Sequence, residues 1–259
     1  MPTAFITGAS AGIGRCYAQQ LAASGHDLIL TARRADRLQA IGDDLASRYG
    51  IGTEIIAADL GGDDGAGMLE RRIRDGDPID LVVNNAAFPT KGPVADLDFA
   101  ALDAMLRVNV VALARLSHAA MYRMTRAGKG AIINVASGTA FRQMLGNAGY
   151  GASKSFVVAL TRHMQAEARG SGVYVQLLIP GAIATGFHAL VGGSVAQFPP
   201  ERVMQADDLV AASLHAAASL DPVCIPSLPD IKDWDAYVAA EARLTENTSR
   251  DRVATRYRD

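Results

Sequence analysis

The sequence predicts an α/β fold, a parallel sheet covered by helices on both faces. Three observations carry that expectation. Short apolar runs alternate with helical patterns along the chain. A glycine-rich turn joins the first run to the first helix. And 259 residues with 49% hydrophobic content suffice for one sizeable core, with no linker, repeat or low-complexity segment to divide it.

Taken in order, Ala4-Phe5-Ile6 reads as the first strand and leads into Thr7-Gly8-Ala9-Ser10-Ala11-Gly12-Ile13-Gly14. A helical pattern follows through Tyr17, Leu21 and Ala22. Asp27 to Thr31 is a buried second strand, Ala35 to Arg48 a helix, and Glu54 to Ala57 a third strand. A Gly/Asp-rich link from Gly61 to Gly67 leads into another helix, and Asp77-Pro78 turns the chain into a fourth strand, Ile79 to Val83. One long helix covers roughly Asp98 to Arg126. Gly130 to Val135 is the fifth strand, Tyr150 to Arg169 a helix, and Val173 to Ile179 the sixth strand. Residues 230–259 start with Trp234 and Tyr237 on a helix and then become polar, as a frayed end or a segment that clasps a neighbouring subunit would.

Two stretches carry chemistry. A strand, a glycine turn and a helix bring backbone N–H groups to a helix N-terminus, where a pyrophosphate is held; glycine lets the backbone approach it. The spacing of Gly8, Gly12 and Gly14 is G-x-x-x-G-x-G. The second stretch is Tyr150-Gly151-Ala152-Ser153-Lys154, with Ser137 upstream. Tyr and Lys four apart share a helix face, so the ammonium is expected to lower the phenol from its usual value of about 10. Such a phenol exchanges a proton with an alcohol or carbonyl oxygen. A Ser-His-Asp hydrolase does not fit Ser137, because Asn134-Val135-Ala136-Ser137-Gly138 lacks the Gly-x-Ser-x-Gly elbow.

Thr7 to Gly14, Asp59, Asn84-Asn85-Ala86, Asn109, Ser137, Tyr150, Lys154 and Pro180-Gly181 occur in order. On these residues the chain resembles the short-chain dehydrogenase/reductase family, of the one-domain type, from about Thr3 to Val223. The resemblance implies a doubly wound Rossmann fold of seven parallel strands in a single domain, residues 1–229, with 230–259 as its tail. It implies a catalytic set of Ser137, Tyr150, Lys154 and Asn109. Tyr150 would be general acid or base, Ser137 the oxyanion donor, Lys154 the cation beside Tyr150, and Asn109 the holder of a water behind Lys154. It implies a nicotinamide dinucleotide held by Gly8, Ser10, Gly12, Ile13, Gly14, Asp59, Leu60, Asn85, Ala86, Pro180, Gly181, Ile183 and Thr185. The family pattern Asn-Asn-Ala-Gly is here Asn84-Asn85-Ala86-Ala87, so Ala87 is expected to be strained if that backbone needs positive φ. A homodimer or homotetramer through the Asp98–Arg126 and Tyr150–Arg169 helices is the implied assembly.

The end of the second strand selects between cofactors. It reads Thr31-Ala32-Arg33-Arg34, with no carboxylate where an NAD-binding chain places one. Arg33 and Arg34 suit a 2′-phosphate, with Arg15 as a further candidate, so NADP(H) is expected over NAD(H). The expected substrate is a small neutral carbonyl or alcohol. Phe88, Phe141, Met144, Phe187 and Phe198 suggest an apolar pocket, and residues 170–200 contain no Asp, Glu, Lys or Arg. Lys91 and Arg142 are possible exceptions at its rim.

Acids (27) and bases (25) are interspersed, so no basic block offers a nucleic-acid surface. Cys16 and Cys224 read as free thiols in a reducing compartment. The five histidines show no ligand spacing, and no metal site is expected. Glycines and prolines break residues 170–200, leaving no membrane-spanning run, and a strand begins almost at the start. The expectation is a cytoplasmic protein with neither membrane nor nucleic-acid partners.

Overall fold

The first apolar run becomes the middle of the sheet. In a computed structural model that describes residues 1–258, β1 (Thr3–Thr7) pairs in parallel with β2 (Asp27–Ala32) on one side and β4 (Leu81–Asn84) on the other. The sheet continues outward to β3 (Thr53–Ala57) beyond β2, and to β5 (Gly130–Val135), β6 (Val173–Leu178) and β9 (Val223–Cys224) beyond β4. All seven strands run parallel. The order β3-β2-β1-β4-β5-β6-β9 reverses direction between β1 and β4, and a crevice opens beyond the carboxyl ends of the strands at such a point. A second sheet is a pair of three-residue strands, β7 (Ala182–Ala184) and β8 (Val203–Gln205).

Side chains of one strand alternate between faces, so β1 feeds two cores. Ala4 and Ile6 join Tyr17 and Leu21 of α1 (Gly12–Ala23), Leu38 and Leu45 of α2 (Ala35–Tyr49), and Leu209 and Val210 of α7 (Ala206–Ala218). Phe5 joins Leu69 and Ile73 of α3 (Asp63–Asp75) and Leu116 and Met124 of α5 (Leu113–Ala127) on the other side. Each fully buried Leu or Ile contributes roughly 1.5–3 kcal/mol relative to exposure. Between β4 and β5 the core is polar: Asn84 Nδ2 donates to Asn134 Oδ1 (2.9 Å) and to Ser117 Oγ (3.1 Å). Asn134 in turn donates to Thr161 Oγ1 (3.1 Å), which pins α6 (Ala148–Glu167) to the sheet.

The expected long helix from Asp98 to Arg126 is three pieces: α4 (Phe99–Leu106), a π-helical turn (Arg107–Ala112) and α5. The extra residue per turn in a π segment shifts every later side chain around the axis, and such bulges occur mostly at functional sites. Asp98 caps α4 by accepting from Ala100 N–H. The Gly61–Gly67 link is shorter than expected, because α3 begins at Asp63; Asp63 and Asp64 in its first turn suit the positive helix end. Helix α7 and the β7–β8 pair were not expected from sequence.

Residues Met1–Pro226 form one compact unit and the chain from Ser227 a second. The second contains α8 (Lys232–Glu246), where Asp230 accepts from Lys232 N–H and the rings of Trp234 and Tyr237 lie 5.4 Å apart. Cys224 is buried and Cys16 half-buried, both free thiols; burial and a hydrogen bond with Asp207 push Cys16 up to about 12. Among the described residues no helix is long and apolar enough to cross a membrane, and no cluster of three or more His, Cys, Asp or Glu could hold a metal.

Candidate active site

The glycine turn after β1 is built by backbone geometry. Gly8 (φ +69°) and Gly12 (φ +53°) occupy the left-handed region, where any other residue is strained. A Cβ on Gly14 would run into the Gly8 carbonyl, so α1 can approach the turn only with glycine there. The Thr7 hydroxyl locks this turn beside the segment after β4. Its Oγ1 accepts from the N–H groups of Asn85 and Ala86 (2.9 Å each) and donates to Val83 O (3.3 Å), while Asn85 Nδ2 donates to Thr7 O (2.8 Å).

The other expected cofactor residues lie around this turn. A Cβ at Gly12 would sit 3.3 Å from Thr185 Cγ2, so the segment after β7 faces the turn closely. Pro180 O accepts from Gly138 N–H (2.9 Å), Gly181 is exposed, and Ile13, Ile183 and Leu60 pack into the apolar cores. Asp59 is exposed and accepts from Gly61 N–H (3.0 Å). Arg34 donates to Ser10 Oγ (3.1 Å), with Arg33 exposed beside it. A groove of about 510 Å³ runs from Ser10 past Arg15 and Arg37 to Arg48. The N-terminus of α1 has no side-chain cap, which leaves its first N–H groups for an anion. Bare glycines, free helix N–H groups and guanidinium groups at one end suit a phosphorylated dinucleotide. The backbone at Ala87 does not need positive φ, so the methyl there is unstrained: among the described residues the only non-glycine with positive φ is Leu220.

Across the crevice, Ser137 follows β5 and caps the short turn Gly138–Phe141. Its Oγ accepts from Thr139 N–H (3.2 Å) and from Thr139 Oγ1 (3.0 Å), and it hydrogen-bonds the Tyr150 hydroxyl. Tyr150 and Lys154 stand one turn apart on α6, both buried. Lys154 Nζ donates to Val135 O (2.8 Å) on the strand that carries Ser137, and lies 5.8 Å from the centre of the Tyr150 ring. The expectation of a lowered phenol is reversed here. Burial pushes Tyr150 well above the ordinary phenol value, and the Ser137 hydrogen bond draws it only partly back. Burial lowers Lys154 from 10.5 to about 8, so it is still largely an ammonium at neutral pH.

Asn109 touches this cluster through an intermediary. Completely buried in the π turn, it donates to Phe88 O (3.0 Å) and accepts from Phe88 N–H (3.1 Å). It also donates to Ser153 Oγ (3.2 Å), and Ser153 donates to Tyr150 O (2.7 Å). A row of aromatic rings runs on from Tyr150: Phe187 lies 5.6 Å from Tyr150, and His188 lies 6.0 Å from Phe187 and 5.1 Å from Phe198, centre to centre. Burial lowers the His188 pKa, favouring the neutral ring. Gly92 N–H donates to Gly146 O (2.9 Å), which joins the loops after β4 and β5. Lys91, Arg142, Phe141, Met144 and Leu145 are exposed. Sequence reasoning missed Thr7, Thr139 and Ser153 as partners; the only signal was a hydroxyl adjacent to, or two positions from, a residue already singled out.

Comparison with known proteins agrees with this architecture. A family model described as short chain dehydrogenase matches residues 2–192. A short-chain dehydrogenase from Sphingobium yanoikuyae in complex with NADPH is 35% identical, with a TM-score of 0.95 over 100% of both chains. The bulky-bulky ketone specific alcohol dehydrogenase of Comamonas testosteroni is 31% identical, with a TM-score of 0.91 over 100% of this chain and 99% of that one. A human relative named inactive hydroxysteroid dehydrogenase-like protein 1 is 32% identical over 72% of this chain; the match spans only 57% of that protein's length. The glycine turn, the seven-stranded order and the matched family model agree: this chain belongs to the short-chain dehydrogenase/reductase family of oxidoreductases.

Proposed function

We propose that the protein is an NADP(H)-dependent oxidoreductase that interconverts a neutral, largely apolar ketone or aldehyde and the corresponding alcohol. The observation that carries this reading is Tyr150 and Lys154 buried one turn apart on α6, with Lys154 tied to the end of the strand that leads into buried Ser137. Family membership alone does not imply catalysis, since the human relative is named inactive.

Gly8, Ser10, Gly12, Ile13, Gly14, Asn85 and Ala86 would hold the dinucleotide along the crevice. Asp59 and Leu60 would border its adenine, and Pro180, Gly181, Ile183 and Thr185 its nicotinamide end. Arg33 and Arg34 would meet the 2′-phosphate, the Arg34–Ser10 bond already bringing a guanidinium to the turn. Bound there, the nicotinamide supplies the hydride that carbonyl reduction requires. Tyr150, kept protonated by burial, gives its proton to the carbonyl oxygen and recovers it when the alcohol is oxidised. Ser137 steadies the negative charge on that oxygen, and the Lys154 ammonium favours the phenolate left behind. Asn109 holds the Tyr150 turn through Ser153. The aromatic row Phe187, His188 and Phe198 supports an apolar substrate, and the NADPH-bound Sphingobium structure supports the cofactor. Exposed Val111 in the π turn, Tyr122 on α5 and Phe156 on α6 support association of copies through these helices.

The test is a panel of phenyl ketones and alcohols assayed with NADPH and NADH. Reduction is expected with NADPH preferred, and Arg34→Ala is expected to weaken NADPH about ten- to a hundredfold while hardly changing NADH, as for loss of one charged hydrogen bond. Binding of NADPH with no turnover across the panel would instead favour a non-catalytic dinucleotide sensor or scaffold on this fold.

A further inference from the structure

We propose that Arg37 is a specificity-determining residue that holds the 2′-phosphate of the dinucleotide from the α2 side; the idea rests on the NADP(H) reading above. Arg33 and Arg34, just after β2, do not line the groove that leaves the glycine turn. Ser10 of the turn, Arg15 of α1 and Arg37 of α2 do, around a space of about 510 Å³. Ser10 is also the residue to which Arg34 donates (3.1 Å), so a guanidinium already assigned to the phosphate reaches the same end of the groove. Arg37 follows Arg34 by three positions, in the first turn of α2.

Charge balance points the same way. A phosphate monoester carries about −1.5 to −2 charges at pH 7, more than one guanidinium neutralises. Arg15 and Arg37 are both exposed, and neither forms an ion pair among the described residues. Asp44, the one carboxylate that lines the groove among the described residues, is already paired with Arg48 at 2.9 Å, at its far end. Asp36, the acid next to Arg37, does not line it. Two uncompensated cations therefore flank the groove beside Ser10, one from each helix. The apolar side chains of Ile41 and Leu45 share the lining and reduce screening by water there. A guanidinium grips phosphate through paired N–H···O bonds, and a bare ribose 2′-hydroxyl offers no such pair. Arg37 thus separates NADPH from NADH.

The experiment measures binding rather than turnover. Adenosine 2′,5′-bisphosphate and adenosine 5′-monophosphate are titrated by calorimetry, and NADPH and NADH by fluorescence, into the full chain and its Arg37→Ala and Arg48→Ala variants. Arg37→Ala is expected to weaken NADPH and the bisphosphate about ten- to a hundredfold, as for loss of a charged hydrogen-bonding pair. NADH and the monophosphate should change less than about twofold, and Arg48→Ala should leave all four ligands nearly unchanged. Should Arg37→Ala lower Tm, Arg37→Gln keeps the length of the side chain without its charge and repeats the test. Wild-type affinity for NADPH in Arg37→Ala, alongside the loss expected for Arg34→Ala, would overturn the proposal and leave the NADP(H) reading intact. Equal weakening of NADPH and NADH would also overturn it, as would Arg48→Ala matching Arg37→Ala. Equal affinity of the unaltered protein for NADPH and NADH would instead remove the NADP(H) reading, and this proposal with it.

Discussion

Tyr17 and Tyr150 are both buried phenols beside a serine, and burial raises the pKa of both. In the proposed function only Tyr150 reacts. Tyr17 donates to Ser213 Oγ (2.5 Å), and Ser213 donates onward to Gln176 Oε1 (2.5 Å). The Gln176 amide cannot turn over, because its Nε2 donates to Ser213 O (3.0 Å) and to Tyr174 Oη (2.9 Å). Tyr174 closes the chain by donating to Asp221 O (2.5 Å). Every proton in this network is committed to a protein acceptor. Tyr150 lies instead beside the buried Lys154 ammonium and the Phe187 ring. Burial and a serine neighbour are common to both tyrosines; the neighbouring cation is what sets Tyr150 apart.

The largest expected contrast is between the two serines. Ser137→Ala should lower kcat by about a hundred- to a thousandfold, as for loss of an oxyanion donor. Ser213→Ala should leave turnover within about twofold but cost about 1–3 kcal/mol in urea unfolding, because it strands the Gln176 carbonyl. Equal losses of turnover in both variants would erase the distinction.

Lysine supplies the next contrast, since only Tyr150 has one beside it. Lys154 titrates at about 8 in the folded chain and at its ordinary 10.5 when unfolded. Between those values the unfolded chain binds more protons, so the contribution of Lys154 to stability becomes more favourable as pH rises through the window. The gain is about 3 kcal/mol, taking roughly 1.4 kcal/mol per unit. The wild type minus Lys154→Met difference in unfolding free energy should therefore grow with pH from about 8 to about 10.5. A difference independent of pH across that window would mean that Lys154 is not the desolvated group described.

Much of this was legible in the sequence, because the information is local. The glycine turn, Ser137 and the Tyr150–Lys154 pair are defined by spacing, and the central strands by apolar runs. The remainder depends on neighbours in space. Residues 107–112 read as ordinary helix until the Asn109 amide is seen bonding the Phe88 backbone, 21 positions away. The seventh strand has two residues, too few for a periodic signal, and pairs only because β6 presents Leu177 and Leu178 to it. The Tyr150 pKa was misjudged in sign because helix spacing reveals the cation but not the burial that pushes the phenol up.

The most direct measurement sets Tyr150→Phe beside Tyr17→Phe in a single-turnover assay of NADPH absorbance with a phenyl ketone, both variants first shown to bind NADPH. The account predicts no detectable NADPH consumption by Tyr150→Phe at wild-type cofactor affinity, and a near wild-type rate for Tyr17→Phe. NADPH consumed by Tyr150→Phe at the wild-type rate would contradict it.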